Sequence, residues 1–572
     1  MSIRDLAAFL KWADKNGIQW DKDAIEVREG KHGLGVFAKK DLDAGQEVIR
    51  VPKSAVLSTQ NSGIATLLED ADIEGYIALT LACMFERSRG SQSAWAEYLA
   101  LLNNRRPLMA NSLPDDAYEL LKRSEAYGDI ETDLKDLQED YDTIIVPFLR
   151  ANPSVFTEAI QARYFTLEDF KVMTNHVASR GMEVDNFHEE ALVPFADLVN
   201  HNSDPNADYL SHEDVCEVCG ALSCEHMEEE EDSEGDDDDD DAPAGGNSRR
   251  RHGASNEDED EDEDEEEDED DWEDDDTCDV VLDRDVKKGE EITRHYGPYP
   301  NKILLSKFGF ADINNEHDTV SIQLDMVKRA VEGTIGDAAL IEERVQWFLD
   351  TEDVFIGDDD DEDDEDDEDE DEDEDEEGDG KDKQEKQTTA GDAKENQDEE
   401  EEDEEGEATT KNDDTPRDIM YMLHNGSIDD RLLMLLNVIF MEKEQFAKVQ
   451  ESMEVAAEYF NDIFRRRAKE EGLPDEEEED EDDEDELKIE IKPLDEAGRQ
   501  IRRRVLEATL QVIRLRADAY GVSEKTTAEE DLETLKKSGL TGLMYYGHVC
   551  AQGEKQILQN GLKLYGQFLA EL

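Results

Sequence analysis

Basic residues and long apolar runs are what this 572-residue sequence has least of. Its 59 lysines and arginines stand against 158 aspartates and glutamates, which gives a formal net charge of −99 at pH 7. A phosphate backbone would be repelled by such a chain, so we expect no direct binding of nucleic acid through a charged face. No stretch approaches the roughly 20 apolar residues that a membrane span needs, and we therefore expect no membrane partner.

Cysteine is also scarce, with six in the chain. The opening segment MSIRDLAAFLKWADKNGIQW has the periodicity of an amphipathic helix and carries acidic residues, which is not the pattern of a secretory signal peptide. Few cysteines without such a signal favour a reducing compartment. We expect a cytoplasmic or nuclear protein that acts as a monomer.

The acidic residues are concentrated in three runs. Residues 227–277 hold 31 acidic and 3 basic side chains, 357–415 hold 36 and 5, and 475–486 hold 12 and none. Like charges repel each other and such runs have little to bury, so we expect disordered insertions or linkers instead of domains. Two interpretations stay open. The runs keep the protein soluble, or they attract a lysine- and arginine-rich partner and speed its encounter.

Outside those runs the pattern of apolar residues changes along the chain. Residues 24–58 contain short β-branched segments separated by glycine and proline, which indicates a small β-sheet. Apolar residues then recur at spacings of three and four from about 64 to 175, which predicts helices. Strand patterns return at 277–297, and helical patterns dominate from about 325 onward. The sequence thus predicts an α+β fold in which a sheet is interrupted twice.

Four separated segments carry a family resemblance. They are GKHGLGVFAKKDLDAGQEVIRVP at 30–52, Ser179-Arg180, VPFADLVNHNSDPNADY at 193–209 and KKGEEITRHYGPYPNKILLSKFGF at 287–310. In this order, around a helical insert, they resemble the SET-domain protein-lysine methyltransferases of the group typified by plant Rubisco large-subunit methyltransferase and the fungal ribosomal lysine methyltransferases. The resemblance covers about 24–325 without 211–276. It extends loosely over 416–572, where GEKQIL at 553–558 is the recognisable piece.

The resemblance implies a β-rich, knotted SET domain followed by an all-α substrate-binding domain. The predicted division begins with the N-terminal helix and the first part of the SET domain at 1–63, followed by the helical insert at 64–175. The second part of the SET domain is expected at 176–325, interrupted by a cysteine-rich and acidic disordered insertion at 211–276. The helical domain is expected at 326–572, interrupted by acidic disordered segments at 357–415 and 475–486.

The resemblance also implies S-adenosylmethionine as the cofactor. Relatives place the segment around Gly33 against the methionine portion of this cofactor, which implies contacts from His32 and Leu34. Glycine lacks Cβ and allows the backbone to approach a ligand closely. Many relatives have an acidic residue where this chain has His32.

A second set of cofactor residues follows from the Asn-His signature. In relatives the residues that correspond to Asn200, His201 and the preceding Asp197 bind the cofactor. The resemblance also places Arg180 where it can pair with the carboxylate of the cofactor. Asparagine can donate and accept hydrogen bonds in a fixed plane, and histidine adds a directional ring N–H. Both properties suit the recognition of an amino-acid head group.

Tyr296 is the expected catalytic residue and a cofactor contact, because it aligns with the tyrosine that relatives place beside the transferring methyl group. Methyl transfer from a sulfonium to a neutral amine mainly requires positioning, and it needs no metal. Ser179, Phe308 and Phe310 are expected to line the channel of the substrate lysine. Many relatives have tyrosine at the position of Phe308, so the number of methyl groups added stays open.

The leading hypothesis is therefore an enzyme that methylates a lysine of a basic non-histone protein. A ribosomal protein is favoured because the group includes such enzymes and because the acidic runs suit a basic target. The alternatives are methylation of a translation factor, of a histone or of a histidine side chain. A different class is also open, a catalytically silent acidic module that binds or chaperones basic proteins.

A cysteine cluster is a separate feature. Cys216, Cys219, Cys224 and His226 place four soft ligands within eleven residues, a composition that suits tetrahedral Zn²⁺. Free thiols and a redox pair are the alternatives. The cluster opens the first acidic insertion, so we expect any zinc here to be structural.

Overall fold

The computed structural model describes residues 3–30, 33–103, 121–122, 124–212, 215–222, 224, 226, 276–355, 417–471, 493–520 and 525–572. His32 and nearly all of the three acidic runs lie outside these residues, so the expected disorder of the runs stays a prediction. Within the described parts of the chain, we find no helix with the length and apolar character to cross a membrane.

Groups of strands and groups of helices follow one another along the described chain. The helices are α1 (Ile3–Lys15), α2 (Ala65–Glu69), α3 (Gly75–Arg89), α4 (Ala96–Asn103), α5 (Ala126–Asp140), α6 (Val146–Ala151), α7 (Glu158–Tyr164), α8 (Leu167–Ala178), α9 (Asn301–Ile303), α10 (Leu324–Ile335), α11 (Ala338–Leu349), α12 (Asp430–Phe440), α13 (Lys443–Glu451), α14 (Met453–Glu471), α15 (Glu496–Tyr520), α16 (Ala528–Ser538) and α17 (Gly542–Glu571). The strands are β1 (Gln19–Trp20), β2 (Ile25–Gly30), β3 (Gly33–Ala38), β4 (Glu47–Pro52), β5 (Gly181–Glu183), β6 (Glu190–Leu192), β7 (Asn200–His201), β8 (Asp208–Ser211), β9 (Thr277–Val281), β10 (Glu291–Arg294), β11 (Thr319–Gln323) and β12 (Ile419–Leu423). The predicted mixture of helix and strand is confirmed.

The chain forms two compact units. The first contains Met1–Ser321, Tyr421–Ile428 and Leu510–Glu571, and the second contains Ile322–Met420 and Asp429–Thr509 together with Leu572. Residues 510–571, which the sequence analysis assigned to the helical C-terminal domain, therefore belong to the first unit. The domain boundaries and the knotted path stay predictions.

Two four-stranded sheets form the centre of the first unit. Their strand orders are β1-β4-β9-β8 and β2-β3-β10-β7. Strands β7 and β10 pair in parallel, while the other neighbours are antiparallel. Both sheets join strands from the beginning of the chain to strands beyond residue 276, so the helical insert lies, in sequence, between strands of the same sheets.

Helix α1 packs an aromatic core against these sheets. Phe9 on this helix is fully buried, and its ring lies 6.1 Å from Tyr98 and 6.0 Å from Phe195 between ring centroids. Trp20 lies 4.8 Å from Phe195 on another side. Full burial of one large apolar side chain contributes about 1.5–3 kcal/mol. The predicted amphipathic helix is thus confirmed, and its apolar face fixes two residues beside the candidate site.

The second unit is mostly helical. Arg344 on α11 donates hydrogen bonds of 2.8 and 2.7 Å to the carbonyls of Val438 and Ile439, near the end of α12. A buried guanidinium there satisfies carbonyls that the helix end leaves without partners. The all-α description of the C-terminal part is not confirmed, because β12 lies within it.

Candidate active site

The two strongest motifs of the sequence meet side by side in one sheet. Strand β7 carries Asn200 and His201, and β10 leads directly to Tyr296. The two strands pair in parallel, with Asn200 opposite Thr293 and His201 opposite Arg294. Residues more than ninety positions apart in sequence are thereby brought together where the two neighbouring strands end.

Asn200 joins the glycine-containing strand β3 to β10. Its Nδ2 donates to the Leu34 carbonyl over 3.0 Å and to Glu291 Oε1 over 2.6 Å. A Cβ on Gly35 would lie 2.2 Å from the same Glu291 oxygen and 2.8 Å from Asn200 Nδ2. Gly33 has φ +104°, in the region that favours glycine. Asn200 and Glu291 thus approach the backbone at Gly35 closely, while the expected approach of this segment to a ligand stays a prediction.

Asp197 is a buried carboxylate with two strong donors. Arg180 Nη1 lies 2.8 Å from Asp197 Oδ2 and 2.8 Å from its carbonyl, and Tyr98 donates its hydroxyl to Oδ2 over 3.0 Å. Burial, followed by the charge of Asp197, raises the pKa of Tyr98. Burial alone would lower the pKa of Arg180, but the charge and hydrogen bond of Asp197 together with the nearby Tyr98 and Tyr296 outweigh it, and the pKa is raised. Arg180 is thus a permanent cation held by Asp197.

Two polar atoms of this ion pair remain without a hydrogen bond among the described residues. They are Asp197 Oδ1 and Arg180 Nε, and both are buried. Buried polar atoms are normally paired, so an unpaired donor and an unpaired acceptor on the two members of one ion pair suit a polar ligand at this place.

The local backbone explains how these side chains are positioned. Helix α8 begins with a capping box between Thr166 and Asp169 and ends at Ala178, which places Arg180 directly after its C-cap. Phe195 has φ +86° and precedes the short 3-10 turn Ala196–Leu198. Such strain in a non-glycine residue persists only where packing imposes it. The fully buried Phe195 ring provides that packing, so Asp197 is held in one orientation.

Both ring nitrogens of His201 have partners, and one of them connects the two motifs. Its Nδ1 accepts the backbone N–H of Tyr296 over 3.1 Å, and its Nε2 lies 3.2 Å from Asp312 Oδ2. Because an acceptor nitrogen carries no proton, the proton of the neutral ring is on Nε2 and is donated to Asp312. His201 therefore fixes the backbone of Tyr296 from one side.

Tyr296 is held at its hydroxyl and at its ring. The hydroxyl donates to the Val199 carbonyl over 3.2 Å, and the guanidinium carbon of Arg294 lies 4.6 Å from the ring centroid. Burial raises the pKa of Tyr296, although the nearby Arg294 and Arg180 charges oppose the rise. The phenol therefore stays protonated at neutral pH and is a positioned hydrogen-bonding group.

Tyr296 belongs to a group of four aromatic rings. We call the group of Tyr296, Phe308, Phe310 and Tyr546 the aromatic cluster. Phe308 lies 5.1 Å from Tyr296 and 6.1 Å from Phe310 between ring centroids, and Phe310 lies 6.4 Å from Tyr546. The four rings are partly exposed, so together they offer an apolar surface to an aliphatic side chain. The structure brings two of the three predicted channel residues to Tyr296.

The third predicted channel residue, Ser179, forms the C-cap of α8. Its hydroxyl donates to the Asn175 carbonyl of the same helix over 2.7 Å. A role of Ser179 in the channel stays a prediction.

Several residues of the site were not found from the sequence. Asn301 Nδ2 donates to the Asp312 carbonyl over 3.0 Å and its Oδ1 accepts the Asp312 N–H over 2.8 Å, which holds Asp312 against His201. Tyr98 and Tyr546 come from helices far away in sequence. Of the four residues named here, Asn301 lies within a recognised motif, so it could have been found from a sequence signal.

The GEKQIL segment is explained by packing within the first unit. A Cβ on Gly553 would lie 2.6 Å from Asp318 Oδ2, and Glu554 Oε1 accepts the Glu125 N–H over 3.0 Å. Lys555 Nζ pairs with Asp531. Each of the first three residues thus has a structural role, and none of these contacts involves Tyr296.

The four predicted metal ligands also come together. The ligand atoms of Cys216, Cys219, Cys224 and His226 all lie within 4.8 Å of one another. The group follows β8 and shares no residue with the site around Tyr296.

Known proteins similar to this chain share one activity in their names. The chain is 30% identical over 379 residues to ribosomal lysine N-methyltransferase 3 of Saccharomyces cerevisiae, an alignment that covers 60% of this chain and 68% of that protein. It is 24% identical over 378 residues to N-lysine methyltransferase setd6 of Salmo salar, which covers 62% and 68%, and 26% identical over 369 residues to N-lysine methyltransferase SETD6 of Mus musculus, which covers 62% and 65%. No protein-family model matches the chain.

Solved SET-domain structures have a fold similar to that of this chain. The SET domain of LSMT bound to lysine and AdoHcy superimposes with a TM-score of 0.55 at 15% identity, covering 100% of this chain and 93% of that one. Rubisco LSMT bound to AdoMet gives a TM-score of 0.53 at 15% identity, with coverages of 100% and 93%. Fold, motif positions and the identity to the yeast enzyme agree, and this chain belongs to the SET-domain family of protein-lysine N-methyltransferases.

Proposed function

We propose that this enzyme uses S-adenosylmethionine to methylate a lysine side chain of a ribosomal protein. The observation that carries the proposal is the parallel pairing of β7 with β10, which places Asn200 and His201 beside Tyr296 and its aromatic cluster. The ribosomal target is supported by the name of the yeast relative, at 30% identity.

The residues around Asp197 fit the amino-acid portion of the cofactor. This portion carries a carboxylate and an ammonium group, which need donors and acceptors close together. The unpaired Arg180 Nε and Asp197 Oδ1 supply one of each. The segment at Gly33 and Leu34, together with Asn200, would hold the remainder. When bound, the cofactor supplies a methyl group activated on a sulfonium.

The aromatic cluster prepares the substrate lysine. A free lysine has a pKa of about 10.4 and is charged at neutral pH, yet only the neutral amine is a nucleophile. Removal of the amine from water among Phe308, Phe310 and Tyr546 disfavours the charged form. The apolar rings would also align the aliphatic stem of the lysine, so that its amine is presented in one direction.

Tyr296 would act by positioning. Its hydroxyl proton is donated to the Val199 carbonyl, so its oxygen can still accept a hydrogen bond from the substrate amine. An amine held in this way has one lone pair free to attack. The phenol does not need to lose its proton, which agrees with its raised pKa.

The net charge suits a basic substrate. Ribosomal proteins that contact RNA are rich in lysine and arginine, and a chain with a formal charge of −99 attracts such proteins at low ionic strength. The attraction does not select one lysine. Selection must come from the contacts of the aromatic cluster and its surroundings.

The test is a methylation assay with purified enzyme and isotopically labelled S-adenosylmethionine. Ribosomal subunits, core histones and purified translation factors are offered separately, and the labelled residue is identified by mass spectrometry. We expect label on a lysine of a ribosomal protein, and much slower labelling with Tyr296→Phe. Label on histones or translation factors alone would overturn the ribosomal target.

A second measurement separates the enzyme from a silent binding module. Isothermal titration with S-adenosylmethionine should show one site per chain. A chain that binds ribosomal proteins but no cofactor would contradict the proposed reaction.

A further inference from the structure

The cysteine-rich segment after β8 forms a compact ligand cluster of its own. We propose that Cys216, Cys219, Cys224 and His226 bind one Zn²⁺, which fastens the start of the first acidic insertion to the body of the first unit. The proposal does not depend on the methylation substrate.

The distances within the cluster match zinc coordination. The Nδ1 atom of His226 lies 3.6 Å from Cys216 Sγ and 3.6 Å from Cys224 Sγ. Zinc binds sulfur at about 2.3 Å and nitrogen at about 2.0–2.1 Å, so the tetrahedral angle places two such ligand atoms about 3.6 Å apart. All four ligand atoms lie within 4.8 Å of one another, so a small inward movement completes a tetrahedron.

The backbone holds two of the thiols on one turn. Cys216 donates its N–H to the Ala221 carbonyl over 3.0 Å, and its own carbonyl accepts the N–H groups of Cys219 and Gly220 over 3.3 and 2.7 Å. Gly220 has φ +69°, which lets the chain reverse immediately after the second cysteine. The turn is therefore formed by ordinary hydrogen bonds and presents the Cys216 and Cys219 thiols to the same place.

The turn rests on the loop between β5 and β6. A Cβ on Gly220 would lie 2.6 Å from the Phe187 ring, so the turn backbone packs directly on this ring. Ser211 at the end of β8 donates its hydroxyl to the Val184 carbonyl over 2.6 Å. Val215 and Cys216 in the same segment are buried. A metal in the cluster would stabilise a segment that already packs against the first unit.

The cluster lies just beyond a buried point where the two ends of the insertion meet. Lys53 is fully buried, and its Nζ lies 2.7 Å from the His212 carbonyl and 2.8 Å from Asp185 Oδ2. The backbone N–H of Lys53 donates to the Asp276 carbonyl over 3.1 Å. His212 precedes the acidic insertion and Asp276 ends it. The zinc site would extend this anchorage from His212 to His226, the last described residue before the acidic run.

The ligand chemistry selects zinc over the cations that acidic runs attract. Three thiolates and an imidazole are soft ligands, whereas Mg²⁺ and Ca²⁺ prefer oxygen. Four protein ligands leave no open coordination position, which is typical of a structural site and not of a catalytic one. The ion would stabilise this segment locally and would take no part in catalysis.

The first test is the metal content of protein purified without added zinc. We expect about one zinc per chain in the unaltered enzyme and close to none in Cys216→Ser/Cys219→Ser, by plasma mass spectrometry. Val218→Ala is the matched control, because Val218 lies in the same turn and its side chain is 64% exposed. This control should retain full zinc. A zinc-free native enzyme, or zinc retained by the double variant, would overturn the proposal.

The second test uses ligand identity and local stability. Cobalt-substituted enzyme should show thiolate-to-metal charge-transfer absorption of a tetrahedral site, which His226→Gln weakens. This single change at an exposed residue also serves if the double variant fails to fold. Limited proteolysis between residues 213 and 226 should accelerate at least tenfold after chelation, while titration with S-adenosylmethionine is unchanged. A Cys216–Cys219 disulfide in peptide maps, or equal cleavage with and without zinc, would contradict the site.

Discussion

His201 accepts the backbone N–H of Tyr296 at Nδ1 over 3.1 Å, and this bond joins the two motifs on which the site depends. The opposite ring nitrogen faces Asp312, which Asn301 holds in turn. The position of Tyr296 is therefore set by a chain of hydrogen bonds that begins in another segment of the sequence. Loss of the tyrosine hydroxyl should leave this chain intact.

Tyr296→Phe should therefore separate catalysis from binding. We expect turnover to fall by about two orders of magnitude, the scale of losing one positioned hydrogen-bonding group. Affinity for S-adenosylmethionine should hardly change, since the backbone bond to His201 remains. Initial rates and calorimetry measure the two effects. Tyr76→Phe, at an exposed tyrosine in α3, is the control and should keep full activity. Full activity of Tyr296→Phe would remove this residue from the mechanism.

Asn200→Ala should, unlike Tyr296→Phe, weaken the binding of the cofactor. The change deletes the bonds to Leu34 and Glu291 and leaves a buried acceptor without its donor, at a cost of about 1–3 kcal/mol. Cofactor affinity should fall about 10- to 100-fold in calorimetry. Asn202→Ala, two residues away and exposed, should bind normally. Equal affinities of the two variants would contradict the assignment of Asn200.

Gly35→Ala tests the close approach of the strands. The new Cβ would lie 2.2 Å from Glu291 Oε1, so β3 or the carboxylate must move, and we expect a destabilisation of about 1–3 kcal/mol. Thermal unfolding and cofactor titration should both respond. Gly128→Ala is the control, because a Cβ there meets open space within helix α5 and should stabilise the helix slightly. If both variants unfold like the native enzyme, β3 is more adaptable than these distances imply.

Asp318 gives a prediction for pH. Burial raises its pKa from 3.8 to about 6, although two hydrogen bonds from Asn301 oppose the rise. A raised carboxyl pKa means that the folded state holds its proton more tightly, so this group's contribution to stability is lost as pH rises from about 4 to about 6. At about 1.4 kcal/mol per pKa unit the loss is about 3 kcal/mol.

The measurement compares denaturant unfolding of the native enzyme and Asp318→Asn between pH 4 and pH 7. The free energy of unfolding of the native enzyme should fall relative to the variant as pH rises. Asp204→Asn is a control of opposite sign, because the hydrogen bond from Arg284 lowers the pKa of the exposed Asp204. A native enzyme that gains stability over Asp318→Asn with rising pH would show that the Asp318 pKa is lowered instead.

The acidic runs should affect encounter and not chemistry. Replacing 228–274 and 357–415 by short Gly/Ser linkers, with His226 and Asp276 in place, should leave kcat and cofactor affinity unchanged. The association rate with a basic substrate should fall at low salt, and the difference should shrink once the screening length is about 8–10 Å. A salt-independent loss of substrate affinity would instead mean that the runs make specific contacts.

The sequence predicted the parts of the site that depend on local motifs. Asn200, His201 and Tyr296 come from separate motifs and lie together in the structure, and the four cysteine-cluster residues also lie together, while their roles stay predictions. Glu291 and Tyr98 were missed because their roles depend on strand register and on helix packing across long sequence distances. Neither is marked by spacing or by alternation of apolar residues. The contribution of residues 510–571 to the first unit has the same origin, since helical periodicity does not indicate which core a helix joins.

The buried meeting point at Lys53 has a consequence for how this enzyme can change over evolutionary time. Because His212 and Asp276 are both fixed there, the segment between them begins and ends at neighbouring points of a finished sheet. Closing a longer loop costs only about 0.6 kcal/mol for each doubling of its length. The part of this segment beyond His226 can therefore lengthen, shorten or change its composition, while strands β8 and β9 keep their register and both the cysteine cluster and the methyl-transfer site are untouched.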